Sequence, residues 1–414
     1  MKKTLVALAV AAISGASFGQ SVQMSGSLSM GFKATTAADA AGTQKSGSGV
    51  DQSEINFSVK QKIDATQSVE AKLGLAGADR SGESTAVGGG TNSGAAFGRD
   101  ASITYTNTRW GQVKLSASEG SGYFSSVGGL GLSGQGQPLI EMDSKLHERK
   151  ASSDSISYTA AIGPVYVQLE HSEPASDLGL GGGSTGSGGH QRKTTYSAYY
   201  PADKLTLLAV FRTYDNQIKG ACTASDCPAI YATKDNLYNL QGSYDFGVVK
   251  VGAGYQYVNA SAGMHQIDSI ISAAVPMGPL TLAASYYTSK TTDVPDTSAF
   301  ANIGAGGAWD AKQYAADTSG YSVGAKYDLS KNFSLTARYA SWTPSGYARY
   351  EADGDVKPAM LQKFGAAYAA YAAAPSAATQ GALAQAWGAA ANASAGLKSD
   401  KTATEASLLL TYSF

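Results

Sequence analysis

The stretch EINFSVKQKI, residues 54–63, alternates. Ile55, Phe57, Val59 and Ile63 fall on one face, and Glu54, Asn56, Ser58, Lys60 and Lys62 fall on the other. A period of two belongs to a β-strand with one apolar face. SVEAKLGL, just beyond, repeats the pattern, setting Val69, Ala71, Leu73 and Leu75 against Glu70 and Lys72. VYVQLE, VVKVGAGYQY, LTLAASYY, YSVGAKYD and FSLTARYA do the same.

Sixteen such segments run from residues 21–33 to residues 404–414, the second covering 53–63. Their connections alternate between short and long. The short ones carry turn chemistry (IDATQ, NTRWG, IGP, PADK, DFG, PMGP, DLSKN). The long ones are rich in Gly, Ser, Ala and Asp, as in GLGGGSTGSGGH. This rhythm predicts an all-β, 16-stranded antiparallel transmembrane barrel with long extracellular loops. Only helices and closed barrels satisfy every backbone polar group within lipid.

The charges decide which face meets lipid. Lys60, Lys62, Lys72, Lys114, Lys250, Lys326 and Arg338 share the polar face. A register slip of one residue would turn them all outward. Each Lys or Arg in lipid costs roughly 2–4 kcal/mol at mid-depth, and several together exceed the ~5–15 kcal/mol that holds a typical fold. The apolar face is therefore the lipid face, and the charged face lines the lumen.

Composition agrees. Charged residues are 15 % of the chain, against about a quarter in soluble domains. The 24 tyrosines outnumber the 11 phenylalanines, which suits a surface with an apolar body and a wet edge. A formal charge of −1 offers no basic patch for nucleic acid. Residues 1–19 read as a secretory signal: Lys2 and Lys3, an apolar run from Leu5 to Ile13, then Ser17 and Gly19 before a cut at Gln20. That run is too short to cross ~30 Å of hydrocarbon. The mature barrel would then occupy residues 20–414. Cys222 and Cys227, close together in an exported chain, suggest a loop disulfide. No His or second Cys pair beside them suggests zinc, so no metal or cofactor is expected. His147, His171, His190 and His265 lie in no defensible catalytic set, so no enzyme is expected.

The segments QSVQMSGSLSMGF, FGRDASITYTNTRWGQVKLSAS and RKASSDSISYTAAIGPVYVQLEHS, with the terminal Phe, occur in an order that resembles the general-diffusion porins of Gram-negative bacteria. The resemblance is strongest to the β-proteobacterial porins. It implies a homotrimer in the outer membrane, set among its lipid and lipopolysaccharide, that passes small hydrophilic solutes and ions. It also implies that loop three, residues 119–150, folds into the pore. There the acidic Glu119, Glu141 and Asp143, with the basic Arg149, would face Lys60, Lys62, Lys72 and Lys114; Arg338 faces the lumen by its parity alone. Opposed charges across a narrow gap bias which ions pass. Where the family often carries a Gly-Arg pair, this chain reads SAS. The alternative of the same architecture is a substrate-selective channel; a barrel hydrolase or adhesin comes after it.

Residues 343–403, loop eight, are unusually alanine-rich, and PAMLQKFGAAYAAYAAA predicts a helix that Pro375 stops. The chain ends SLLLTYSF, which places Leu408, Leu410, Tyr412 and Phe414 outward and Leu409 inward. In the resembled family such an ending, here Tyr412 and Phe414, is also a signal read by the barrel-assembly machinery.

Overall fold

Sixteen strands form where the alternation places them in a computed structural model of the chain. It describes residues 21–36, 44–76, 97–119, 124, 127, 152–174, 192–215, 234–260, 265–292, 318–343, 370, 373, 374, 376, 378–382 and 402–414. The expected signal segment, Glu141, Asp143, Arg149, Cys222 and Cys227 lie outside the described residues. The strands of the first half are β1 (Ser21–Thr36), β2 (Gln44–Lys62), β3 (Gln67–Ala76), β4 (Phe97–Asn107), β5 (Gly111–Glu119), β6 (Ser152–Ile162), β7 (Val165–Pro174) and β8 (Arg192–Pro201). The second half comprises β9 (Leu205–Asp215), β10 (Lys234–Asp245), β11 (Lys250–Ala260), β12 (His265–Met277), β13 (Leu280–Thr292), β14 (Thr318–Asp328), β15 (Phe333–Thr343) and β16 (Ala403–Ser413).

Each strand pairs antiparallel with its sequence neighbours, and β1 pairs with β16, so the sheet closes on itself. Closure leaves no unpaired edge. The expected boundaries hold within a few residues, with one larger difference. The second strand begins at Gln44 rather than near residue 53. QKSGSGVDQ carries almost no apolar alternation, so sequence periodicity is blind to it. It pairs because β1 continues opposite, from Met30↔Val50 to Thr36↔Gln44. Loop three starts after Glu119 and loop eight lies between Thr343 and Ala403, which themselves end and begin strands.

Both barrel faces follow the alternation. Exposed apolar residues take one parity, as with Leu240 at 59 % and Ile271 at 55 %, whereas the intervening Gln241 and Ser272 are buried. Seven short turns gather at one end, beside both described chain ends. In the β2–β3 turn, Asp64 accepts hydrogen bonds from the Thr66 amide (2.7 Å), the Thr66 hydroxyl (2.9 Å) and the Gln67 amide (2.8 Å). These donors, the Thr66 amide first, hold its carboxyl below the usual carboxylate range. In the β4–β5 turn, Gly111 sits at φ 116°, and an added Cβ would stand 2.3 Å from the Thr159 carbonyl oxygen.

Aromatic rings collar this end. Trp110 lies 5.5 Å from Tyr105 and 6.2 Å from Tyr158, and Tyr244 lies 4.7 Å from Phe246. Rings of this kind occupy the boundary between hydrocarbon and water. The seam joins the collar. Phe414 and Gly26 exchange two backbone hydrogen bonds, of 3.0 and 3.1 Å. The Phe414 ring covers Gly26, where an added Cβ would stand 2.8 Å from its Cζ. Tyr412 stacks between Phe333 (4.7 Å) and Phe414 (5.8 Å), and the Asn332 amide side chain donates to the Ser413 carbonyl at 2.6 Å. Leu409 points inward and is buried, as its parity requires.

Deleting Phe414 removes the last paired position of the seam. Heat-modifiable electrophoresis of refolded protein should show a several-fold smaller folded fraction. Folded molecules should conduct as wild type.

Candidate functional site

Strand tilt turns the register into rows of inward side chains that climb the lumen wall. One row runs Lys60, Glu70, Thr104, Lys114, Ser157, Glu170, Thr195, Arg212 from β2 to β9. Its charges alternate in sign. The next runs Lys72, Ser102, Ser116, Ser155, Ser172, Lys193 from β3 to β8. Four serines therefore separate two lysines, and the Ser116 and Ser155 hydroxyls meet at 2.9 Å. Arg212 Nε donates to Thr195 at 2.8 Å, and Ser172 donates to Glu170 at 3.0 Å. Ser102, Ser116 and Ser155 are partly exposed and can bond water or solute as donor or acceptor, whereas Thr104, Ser157, Ser172 and Thr195 are buried.

The lysines expected from sequence differ in setting. All four occupy the inward parity. Lys60 and Lys62 are exposed and lie near the short-turn end, Lys62 opposite Ser68 beside the turn. Lys114 is half-buried, three residues into β5. Lys72, in the middle of β3, is 57 % exposed and lies 3.2 Å from Glu70. An ion pair that open to water stabilises little, so the Lys72 ammonium stays available to solutes. Glu119 ends β5 opposite Ser152, at the long-loop end.

Arg338 is inward too, but it is engaged. Its Nη2 lies 2.8 Å from Glu405 Oε1, and the two side chains are 9 % and 5 % exposed. Lys33 lies 3.9 Å from the same carboxylate and 2.9 Å from Asp51. This cluster ties β1, β2, β15 and β16 across the seam. Removing one partner of a buried pair costs about 3–5 kcal/mol, so the cluster acts first as a fastening. Asp51 enters it through a bulge: Ser29 opposes Gln52 and Met30 opposes Val50, leaving Asp51 without an opposite residue. A bulge re-aims a side chain, here towards Lys33.

Sequence reading placed Glu70 on the lumen face with Lys72 but missed Lys33, Asp51, Glu170, Lys193, Arg212 and Glu405 as wall charges. For Glu405 the signal was present, since the parity of Leu408 and Leu410 turns it inward. Arg212 follows the apolar run LLAVF, which hides the alternation. Asp51 was not recoverable by parity, because a bulge breaks parity.

The least expected wall residues are Phe124 and Val127, past the end of β5. Both are fully buried, and they cluster with Leu237, Val258, Ile270 and Tyr287 on β10 to β13. Those four residues share the inward parity of Gln241, Gln256, Asp268 and Ser285, so Phe124 and Val127 sit inside the barrel. The strand order places β11 eight strands from β3. Lys72 and this cluster thus belong to opposite walls.

Comparison with known proteins accords with this architecture. The solved structures it resembles include OmpTdeltaL8, a loop L8 deletion mutant of OmpT, an outer membrane protein of Vibrio cholerae. That likeness has a TM-score of 0.52 at 11 % identity, covering 95 % of this chain and 99 % of that one. A triple mutant of the Rhodopseudomonas blastica porin gives 0.51 at 13 %, covering 95 % and 100 %. At such identities the likeness is one of fold. Comparison with curated proteins gives no match. The Gram-negative porin family matches residues 4–347, and family and barrel together indicate a channel rather than an enzyme. The chain belongs to the Gram-negative porin family and is an outer-membrane porin channel.

Proposed function

We propose that the channel is a water-filled, general-diffusion pore for small hydrophilic solutes and ions, narrowed by residues 119–150 and assembled as a homotrimer. The wall itself carries the reading. The partly exposed Ser102, Ser116 and Ser155, with the exposed Lys60, Lys62 and Lys72, hold water and offer hydrogen bonds without committing to one solute. A narrowing by loop three is supported by Phe124, which follows β5 yet packs on the inward face of β10 to β13. Of the charges expected from sequence, Lys60, Lys62, Lys72 and Lys114 line one side, while Arg338 is neutralised by Glu405. Lysines in water on the wall favour anions.

The trimer reading gains support from where the outward tyrosines stop. In the long-loop half, the outward Tyr238, Tyr286, Tyr321 and Tyr339 mark β10 to β15, with Tyr321 6.3 Å from Tyr339. Among the described residues, no outward Tyr or Trp occupies that half of β16 or β1 to β5. Tyrosine belongs where one side of a ring is apolar and the other wet. A face without it suits contact with another copy better than contact with a lipid boundary.

Planar bilayers test the pore. Large ohmic steps in groups of three, with a reversal potential of anion sign in a salt gradient, are expected. Lys72→Glu should move that potential towards cations; a cation-sign potential in the wild type refutes the lysine reading. Small steps blocked by one solute class would instead establish the substrate-selective alternative.

The trimer face has its own test. Ala101→Trp, on the outward face of β4, should give monomers on mild-detergent electrophoresis. Ala209→Trp, outward on β9, should leave the trimer intact. Equal behaviour of the two variants would exclude the assigned face.

A further inference from the structure

Two large rings break the rule that keeps exposed apolar side chains on the lipid face. On β7 the alternation turns Gln168, Glu170 and Ser172 inward, and Tyr166 shares their parity. On β8 Lys193, Thr195 and Ser197 are inward, and Tyr199 shares theirs. The register agrees: Tyr166 pairs with Tyr199, Tyr199 with Leu208, and Leu208 with the buried Gln241. Tyr166 is nevertheless 47 % exposed and Tyr199 39 % exposed. The other exposed large apolar side chains on the described strands face outward. Tyr214, Tyr287 and Trp342 are inward too, but they pack into or against the buried cluster on β10 to β13. Tyr166 and Tyr199 therefore stand in lumen water, where a ring gains nothing from the hydrophobic effect unless something covers it.

Their place is the short-turn end, since Tyr166 is near the start of β7 and Tyr199 near the end of β8. Short turns of such barrels face the periplasm, so the pair stands at the periplasmic mouth. The ring centroids lie 6.5 Å apart with the planes tilted by 39°, which makes one aromatic surface rather than a closed stack. Ala161, paired with Tyr166 from β6, is small and exposed and leaves that side open.

The next inward pair is Gln168 and Ser197, half-buried and opposite each other. The Ser197 hydroxyl donates to Gln168 Oε1 at 3.5 Å, and a bond that long is readily exchanged for one to a solute. The inward charges of β7 and β9, Glu170 and Arg212, begin only in the row beyond. The mouth thus offers an aromatic surface with a neutral hydrogen-bonding edge. A charged solute finds no counter-charge in these two rows. A hydrophilic solute with an apolar face fits them, and a pyranose is one: its C–H groups lie on the faces of the ring and its hydroxyls around the rim.

We propose that Tyr166 and Tyr199 form a stacking platform for neutral saccharides at the periplasmic mouth. A pyranose face lies on the two rings, and rim hydroxyls reach Gln168 and Ser197. An apolar surface with a few placed polar groups is the usual composition of a small-molecule site. The platform rests on the reading of a water-filled pore and adds a preference to it. Open on the lumen side, it binds weakly, as passage requires.

Current through the full-length protein in planar bilayers tests it, with cellobiose as the saccharide and acyclic sorbitol as the control for viscosity. Cellobiose should lower the current saturably, beyond the drop that sorbitol gives at the same mass concentration. Tyr166→Ala and Tyr199→Ala should each raise the half-blocking concentration about two- to tenfold. Tyr166→Phe, which keeps the ring, should leave it at the wild-type value. The alanine variants change exposed side chains, so their heat-modifiable folded bands should match wild type. Saturation-transfer NMR on detergent-solubilised protein reads the same contact without a current. Irradiating the aromatic protons should reach the cellobiose C–H protons in the wild type, and several-fold less in the Tyr166→Ala, Tyr199→Ala double variant.

A current drop no larger with cellobiose than with sorbitol overturns the platform, and so do equal half-blocking concentrations in the wild type and both alanine variants. The pore reading fails separately: wild-type protein that carries no ohmic current without sugar has no open lumen, and the NMR contact alone then decides the platform.

Discussion

The structure depends on one constraint: within hydrocarbon, every backbone amide must find a carbonyl in the protein. A strand left at the edge of a sheet would present a row of unpaired groups at several kcal/mol each. The pairing of β1 with β16 removes that row. The arrangement of the chain ends follows from it. The last residue is a pairing residue, bonded both ways to Gly26. The charges nearest the seam, Arg338, Glu405, Lys33 and Asp51, bind one another across it. The Arg338–Glu405 pair is buried on the lumen side and joins β15 to β16; Lys33, reaching the same carboxylate, links two strands adjacent only because the barrel closes.

Closure also fixes what the inside looks like. Once the apolar parity must face lipid, the other parity has only the lumen, and its chemistry becomes the chemistry of the pore. Tilt then carries each cross-strand row up the wall, so a solute moving along the axis meets hydroxyls and charges in succession. The serine row between Lys72 and Lys193 and the alternating row from Lys60 to Arg212 are products of that geometry. Against this wet wall, the dry patch under Phe124 stands apart. It is where the wall receives Phe124 and Val127.

Much of this was legible in the residues. The strand count, the inward parity of Lys60, Lys62, Lys72 and Lys114, and the inward exception at Leu409 all follow from a period of two. Other features were not. The upper part of β2 is polar on both faces and is recruited by β1 across from it. Arg338 reads as a free lumen charge until Glu405, 67 residues away in sequence, is found 2.8 Å from it. Phe124, in YFSSVGGL, carries no periodicity at all.

The sequence by itself determined the alternation, and with it the barrel, its facing and the outward aromatic collar. It could do so because lipid imposes the same demand on every residue of one parity, and a demand repeated along the chain is visible without coordinates. Tertiary structure alone decided which inward charges stay open to water, where the bulge turns Asp51, and where Phe124 packs. Each of those outcomes depends on a single contact between residues distant in sequence. A lone contact leaves no period to read; Phe124 reaches Tyr287 only when β13 and a ring arriving past β5 meet across the lumen.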